Sequence, residues 1–336
     1  MKISVLTPTY NRGNLLNNLY QSLIENLKYN VEIEWLIMDD GSTDETKVIV
    51  SKMQEELLKN EKNVQYRADS NKIERKSKSS GGQLQIKYFY QENQGKMTAI
   101  NNLVEKAVGD LIVECDSDDK FSSNAFEIIK NAYEENKENL KDVYAFCFLK
   151  YDTKGNNMGK DFAKNKTTMF DLYFKEGENG EKALAFITKI RKQYKHKLEH
   201  GEKFVTEARL YHEMDLNYKM ICINEPIMIC EYQENGYTKN ISKQFKENPY
   251  GYFEYFREIL SQNMNRVKLN KRLYAIKHYI LFGYLTGKSS GKDVKGALNK
   301  ILYYLMYIPR KDKVKKILVK RLKYSKHLYI LRKEEQ

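Results

Sequence analysis

The feature that most limits what this chain can fold into is a rhythm in its first 150 residues. Short apolar runs of strand character alternate with longer runs of helical spacing, and two of the strand-like runs end in acidic clusters. Ile3–Thr7, Glu34–Met38, Leu84–Tyr90, Leu111–Cys115 and Val143–Leu149 read as strands. Leu15–Leu27 sets Leu15, Leu16, Leu19, Leu23 and Leu27 on one helical face. Asp44–Lys59, capped by Thr43, then Lys96–Val108 and Asn124–Glu135 read as further helices. This alternation predicts an α/β fold: a mostly parallel sheet with helices on both faces. Such sheets bind ligands beyond the carboxyl ends of their strands. Asp39 and Asp40, and Asp116 to Asp119, fall at those ends.

Three segments carry chemistry. SVLTPTYNR (Ser4–Arg12) followed by DDGSTDET (Asp39–Thr46) puts backbone groups and a carboxylate at adjacent strand ends, where a carboxylate can accept from a nucleobase imide or ribose hydroxyls. The same DG turn also suits a plain helix cap. ENQGK (Glu92–Lys96) leads into a helix, with Gly95 permitting close backbone approach and Lys96 placed to meet phosphate. ECDSDD (Glu114–Asp119) crowds three aspartates into four residues, costly unless a cation neutralises them. Oxygen-only ligands select Mg²⁺ or Mn²⁺, with positions left for water and phosphate oxygens. The segment Arg67–Gln83 is rich in Ser and Lys and reads as a mobile surface loop.

At SVLTPTYN, MDDGSTDET, ENQGKMTAIN and ECDSDD, in that order, the chain resembles the inverting glycosyltransferases of family 2, which have the GT-A fold. The resemblance covers about residues 1–240. Gly201–Met214 and Ile223–Asn240 are similar to the acceptor half of bacterial surface and capsular polysaccharide members. It implies a Rossmann-like catalytic domain over residues 1–248, with a nucleotide-sugar half at 1–120 and an acceptor half at 121–248. By the same resemblance, Pro8, Thr9, Tyr10 and Asp40 hold the nucleoside, commonly uridine, and Lys96 lies near the donor. Asp116-Ser117-Asp118 matches the DxD motif, so Asp118 takes the Mn²⁺ or Mg²⁺ of the diphosphate, Asp116 lies near the ribose or that metal, and Asp116 and Ser117 count among the nucleotide-binding residues, with Asp119 the neighbouring candidate in register. Glu207 matches the general base. The family often has Glu-Asp there, whereas Ala208 follows here, and Asp215 is the reserve candidate. A base beside Phe204 and Val205 is expected to have its pKa raised. The implied reaction is transfer of a hexosyl or N-acetylhexosaminyl group from a nucleotide-sugar, foremost a UDP-sugar, to a lipid-linked oligosaccharide or other surface glycan.

Charge divides the chain. Residues 250–336 hold 21 Lys/Arg against 6 Asp/Glu, and residues 1–249 hold 37 against 39, so the net +13 belongs to the last quarter. That excludes a protein basic throughout that coats nucleic acid. Residues 249–336 are expected to form a basic helical region, broken at Gly287–Gly291 and at Pro309, with Lys311–Lys333 as an amphipathic stretch. Such a region suits an anionic membrane surface or packing through its 11 tyrosines, and no nucleic acid partner is expected. No secretory signal or 18-residue apolar run is read, so the chain is expected in the cytoplasm, peripheral on the inner face of the cell membrane. Cys115, Cys147, Cys222 and Cys230 lie in apolar stretches without CxxC spacing and read as buried thiols of a reducing compartment. The five histidines and Trp35 read as packing or surface residues. Two enzymatic rivals lack their motifs: a processive synthase needs transmembrane helices and QxxRW, and a sugar nucleotidyltransferase needs a GxGxR loop. A non-enzymatic membrane- or nucleic-acid-binding module would not require the DSDD run.

Overall fold

Strands β1 (Lys2–Thr9) and β2 (Glu32–Asp39) are buried on both pleat faces, as strands must be when helices cover a parallel sheet on two sides. The computed structural model describes residues 1–59, 67–69, 72–78, 82–231, 241–288 and 291–307. It completes the sheet with β3 (Arg67–Asp69), β4 (Lys72–Lys78), β5 (Gln83–Tyr90), β6 (Leu111–Glu114), β7 (Lys120–Phe121), β8 (Val143–Asp152), β9 (Lys166–Thr167), β10 (Lys182–Ile187) and β11 (Lys219–Cys230). The order is β3-β4-β5-β2-β1-β6-β10-β8-β11-β7, with β9 paired to β11. β5, β2, β1 and β6 run parallel. β10 is antiparallel to β6 and β8, so β8 again points the same way as β6.

Helices α1 (Leu16–Asn26), α2 (Thr46–Lys59) and α4 (Ala125–Asn136) cover one face, where Leu16, Leu19, Leu23, Val50, Met53, Phe126 and Ile129 pack with Ile3, Val5, Trp35 and Ile37. α3 (Lys96–Lys106) packs on β1 and β2 through Met97, Ile100 and Leu103, on the face of Leu6 and Leu36. Trp35 is fully buried and donates to Thr7 Oγ1 at 2.9 Å, the packing role read for it. All four cysteines are buried and free.

Three local expectations change. The Arg67–Gln83 segment is not a loop throughout: β3 and β4 form an antiparallel pair, and β4 extends the sheet along β5. The β3–β4 pair forms the outer end of the sheet, where charged residues discourage further pairing. The first turn of α2 is served by Asp44, which takes the Thr46 N–H at 3.0 Å and the Thr46 hydroxyl, rather than by Thr43. The two β-like runs around Met220 and Ile229 are one strand, β11, interrupted by register shifts near Pro226, since proline has no N–H to give the ladder.

The chain divides into two compact units. The first holds the described residues of Met1–His196 and Leu210–Glu234, and the second holds Lys197–Arg209 with the described residues after Asn235. Between β10 and β11 in the chain come the short helices α5 (Thr188–Arg191) and α6 (Glu207–Met214), and the second unit contains α7 (Ile241–Glu247), α8 (Pro249–Ser261), α9 (Leu269–Thr286) and α10 (Ala297–Tyr307). Its core is aromatic: Tyr252 stacks on Phe282 and Phe253 on Tyr279, each at 5.2 Å. Glu202 accepts from the Tyr250 and Gly251 N–H groups at 2.7 Å each, a carboxylate at the positive end of α8. Gly287, at φ 71°, ends α9. Pro309 and the amphipathic stretch Lys311–Lys333 lie outside the described residues, as do residues 232–240. No described helix is long and apolar enough to cross a membrane.

Candidate functional site

The strand order reverses at β1. From β1 the chain steps outward to β2 and β5, then returns to place β6 on the other flank of β1. At such a reversal the connections leave in opposite directions and open a crevice beyond the carboxyl ends of the two strands. Here β1 runs into Tyr10-Asn11-Arg12 and β6 into Cys115–Asp119. Backbone bonds stitch the edge together: the Asp40 N–H donates to the Thr9 carbonyl at 2.9 Å, Gln91 to Asp39 at 3.0 Å and Cys115 to Leu6 at 3.0 Å. Pro8, Thr9, Tyr10, Asp40, Lys96, Asp116, Ser117 and Asp118 are therefore gathered on one sheet edge.

The turn after β1 is clamped. Asn11, at φ 51°, donates its N–H to Ser42 Oγ and accepts from the Thr43 N–H through Oδ1, both at 2.8 Å. Tyr10 stands half exposed. Thr9 Oγ1 is buried, with no hydrogen-bond partner among the described residues, so it has capacity for a ligand.

The two acids after β2 have separate work. Asp39 accepts from the Tyr88 hydroxyl at 2.6 Å and the Ser42 N–H at 2.7 Å. Asp40, 4% exposed, organises the ENQGK segment. Its Oδ1 takes Gln91 Nε2 at 2.7 Å and the Gln94 N–H at 2.8 Å, and its Oδ2 takes the Gly95 N–H at 2.8 Å. Three bonds leave a carboxylate about one further acceptor site. The loop can fold against Asp40 because Gly41 and Gly95 sit at φ 84° and 93°, and a Cβ on Gly41 would stand 2.9 Å from the Asn93 nitrogen.

The acidic turn is charge-paired within the chain. Lys96 Nζ donates to Asp116 at 2.8 Å, Arg12 Nη1 to Asp118 at 3.0 Å and Lys150 Nζ to Asp119 at 3.3 Å. Cys230 Sγ also donates to Asp119 at 3.2 Å. Burial pushes the Asp116 carboxyl up, but the charge and hydrogen bond of Lys96, with Lys150 and Arg12 beyond, hold it below the usual range. At Asp118 burial outweighs Arg12 and the carboxyl is raised. Burial raises Asp119 as well, against Lys150. The expected neutralising charge is thus present as three protein cations. Among the described residues no three His, Cys, Asp or Glu side chains converge as a metal cage. Asp116 and Asp118 each use one oxygen in an ion pair, and both are hard oxygen donors. That set fits a Mg²⁺ or Mn²⁺ completed by diphosphate oxygens and water, and not one enclosed by protein alone.

Arg12, Lys150 and Cys230 were not assigned to the site from the sequence. Arg12 closes the SVLTPTYNR motif, and Lys150 is the cation that ends the apolar run of β8 on the same sheet edge. A cleft of about 590 Å³ opens beside the turn, lined among others by Asn18, Gln21, Lys120, Tyr151 and Glu225.

The two base candidates differ in their surroundings. Glu207 is half-buried and opens α6 (Glu207–Met214), in the residues of the second unit. Asp215 accepts from the Tyr144 hydroxyl at 3.1 Å and from the Met169 and Phe170 N–H groups at 3.0 and 2.8 Å, and burial pushes its carboxyl up to about 7. Tyr144 is at the amino end of β8 and Lys150 near its carboxyl end, a separation of roughly 20 Å at about 3.3 Å per residue. Asp215 therefore braces the far end of the sheet, and the reserve assignment to it is withdrawn.

A model of the family described as glycosyl transferase family 2 matches residues 4–79 and 72–193, together more than half of the chain. An uncharacterized glycosyltransferase of Mycoplasma genitalium is 29% identical over 155 residues, 45% of this chain and 44% of that protein. A GalNAc(5)-diNAcBac-PP-undecaprenol beta-1,3-glucosyltransferase of Campylobacter jejuni is 27% identical over 164 residues, 48% of this chain and 42% of its own. The chain spans about half the length of the curated relatives it matches. Residues 1–349 of S. aureus TarS, in complex with UDP-GlcNAc, align with a TM-score of 0.53 over 90% of this chain and 87% of that one, at 16% identity, a likeness of fold.

Proposed function

This chain belongs to glycosyl transferase family 2, and from that premise we propose that it is a metal-dependent inverting enzyme moving a sugar from a UDP-sugar to a lipid-linked glycan. The observation that carries the reading is the charge-paired acidic turn facing the clamped PTYN turn across the β1–β6 crevice. The choice of UDP is supported by the UDP-GlcNAc named with TarS, and the lipid-linked acceptor by the undecaprenol of the Campylobacter relative. The polar cleft beside the turn suits the hydroxyls of a glycan.

In this reading Pro8, Thr9 and Tyr10 receive the nucleoside, with Thr9 Oγ1 and the remaining acceptor site of Asp40 as its polar contacts, and Ser117 is a further nucleotide-binding residue. Lys96 steadies the diphosphate by a charge-assisted bond. Asp118 and Asp116 would hold Mn²⁺ or Mg²⁺, whose charge offsets that building on the departing diphosphate. Glu207 takes the proton of the acceptor hydroxyl as its oxygen bonds to the anomeric carbon, the carbon–phosphate oxygen bond breaks, and the configuration inverts. Residues 1–248 would carry this chemistry.

The basic region 249–336 would hold the enzyme at an anionic membrane. Leu298, Ile301 and Leu305 support that role, being exposed on one face of α10 just ahead of the lysine-rich residues. The test is calorimetric UDP binding with and without Mn²⁺, together with sugar transfer into bacterial membrane lipids. Asp118→Ala should abolish the metal-dependent part of UDP binding. Glu207→Gln should keep donor binding and lose transfer. If no nucleoside diphosphate binds in the presence of metal, the proposal fails.

A further inference from the structure

Arg12 lies outside the nucleoside and metal assignments made above, yet it spans the crevice. It leaves β1, its guanidinium reaches Asp118 after β6, and the two residues are 106 apart in sequence. The backbone that carries it is fixed on both sides, by the Asn11 clamp and by the Gly13 N–H on Asp44 at 3.3 Å. Its side chain is 27% exposed and that of Asp118 13%, so the pair sits at the crevice mouth rather than in the core. One guanidinium N–H is given to Asp118, and a guanidinium has five, arranged to grip phosphate oxygens.

The charge count around the turn is the second observation. Asp116, Asp118 and Asp119 bring three negative charges, and Lys96, Arg12 and Lys150 bring three positive ones. The turn is neutral as it stands. A divalent cation arriving with a nucleotide-sugar, whose diphosphate carries one negative charge on each phosphate, adds two positive and two negative charges and keeps it neutral. The pairing, unlike the sum, changes: a carboxylate taken up by the metal frees the cation now bound to it. Asp118 gives a lone pair to the metal, and the guanidinium it releases stands in the crevice to which the donor reading assigns the diphosphate. Lys150 is different, being bound to Asp119 and also 3.6 Å from Glu181, away from the crevice mouth.

Resting on the donor reading above, we propose that Arg12 is the resident counter-cation of Asp118 and a diphosphate-binding residue in turn: as metal and nucleoside diphosphate arrive together, it passes from the carboxylate to the phosphates. Two consequences have opposite sign. Metal alone must compete with Arg12 for Asp118, so the site resists metal without nucleotide. Metal with nucleotide recruits Arg12, so the site favours the pair.

The experiment measures two affinities on the full chain: Mn²⁺ alone, by the paramagnetic resonance signal of free Mn²⁺, and UDP at saturating Mn²⁺, by calorimetry. Arg12→Met should bind Mn²⁺ alone about tenfold more tightly and UDP about ten- to a hundredfold more weakly, the worth of a charge-assisted bond. Arg12→Lys, which keeps the charge and loses the fork, should leave Mn²⁺ affinity near that of the unsubstituted protein and lose part of the UDP affinity. Circular dichroism melts show that the variants are folded. Both affinities falling together, or UDP affinity unchanged in Arg12→Met, overturns the role of Arg12 alone. Failure of the unsubstituted protein to bind any nucleoside diphosphate with Mn²⁺ overturns the donor reading beneath it.

Discussion

Asp40→Ala separates two uses of one carboxylate. If Asp40 only touches the nucleoside, its loss leaves the fold intact. The structure gives it more to do. It accepts the Gln94 and Gly95 N–H groups, both at 2.8 Å, from a position 4% exposed. The Gly95 bond is buried, and a buried donor left without an acceptor costs about 1–3 kcal/mol. The Gln91 side chain, bound at 2.7 Å, can turn to water at little cost. Two orphaned backbone donors then amount to about 2–5 kcal/mol. At about 2–4 °C per kcal/mol for a unit of this size, a fall in melting temperature of roughly 4–20 °C is expected. The assay is a circular dichroism melt, paired with UDP calorimetry in Mn²⁺. The same variant should lose UDP affinity, because the loop Asp40 holds leads into α3 and Lys96. Asp40→Asn, which keeps one acceptor oxygen, should fall between. An Asp40→Ala protein that melts within a degree of the unsubstituted chain while losing UDP binding would refute the argument and leave Asp40 a nucleoside contact alone.

Asp215 sets a pH dependence. Its carboxyl stands at about 7 in the folded chain and at about 3.9 unfolded, so the folded state keeps a proton the unfolded state releases. Its contribution is full below about pH 4 and lost as pH rises through 7. Asp215→Asn should therefore gain on the unsubstituted protein by roughly 2–4 kcal/mol between pH 4 and 8, measured by urea unfolding, and parallel profiles would sink the assignment. Removing residues 308–336 takes away 11 Lys/Arg and 3 Asp/Glu. At about 1 kcal/mol per basic residue near an anionic surface, binding to phosphatidylglycerol vesicles should drop by more than about a hundredfold in a sedimentation assay. Unchanged binding excludes the tail as the anchor.

The parts of the fold that were legible share one physical cause. β1, β2, α1 and α3 each bury a patterned face, and burial writes itself into sequence as period 2 or 3.6. β3 and β4 carry no such pattern in their sequence. Their residues, RAD and KIERKSK, are polar because they form a sheet edge, and a charged edge strand and a surface loop have the same composition. The cap of α2 failed to read for a related reason: Thr43 and Asp44 are both good caps, and only the clamp on Asn11, which uses the Thr43 N–H, assigns the work to Asp44.

At the site, the acids were legible and their partners were not. DSDD announces itself because three carboxylates in four residues need compensation wherever they lie. What compensates them depends on strand order. Arg12 reaches Asp118 because β6 returns to the flank of β1, and Lys150 reaches Asp119 because the antiparallel β10 lets β8 end on the same edge as β6. Local periodicity says nothing about either neighbour. The compensation read from the sequence was accordingly a metal alone, whereas the folded chain carries three cations of its own at the turn. A turn already neutral gains little from a lone divalent ion and loses nothing when that ion brings a diphosphate. On the proposal made for Arg12, the same three ion pairs that hold the acidic loop in shape would also bias the site toward taking metal and donor together.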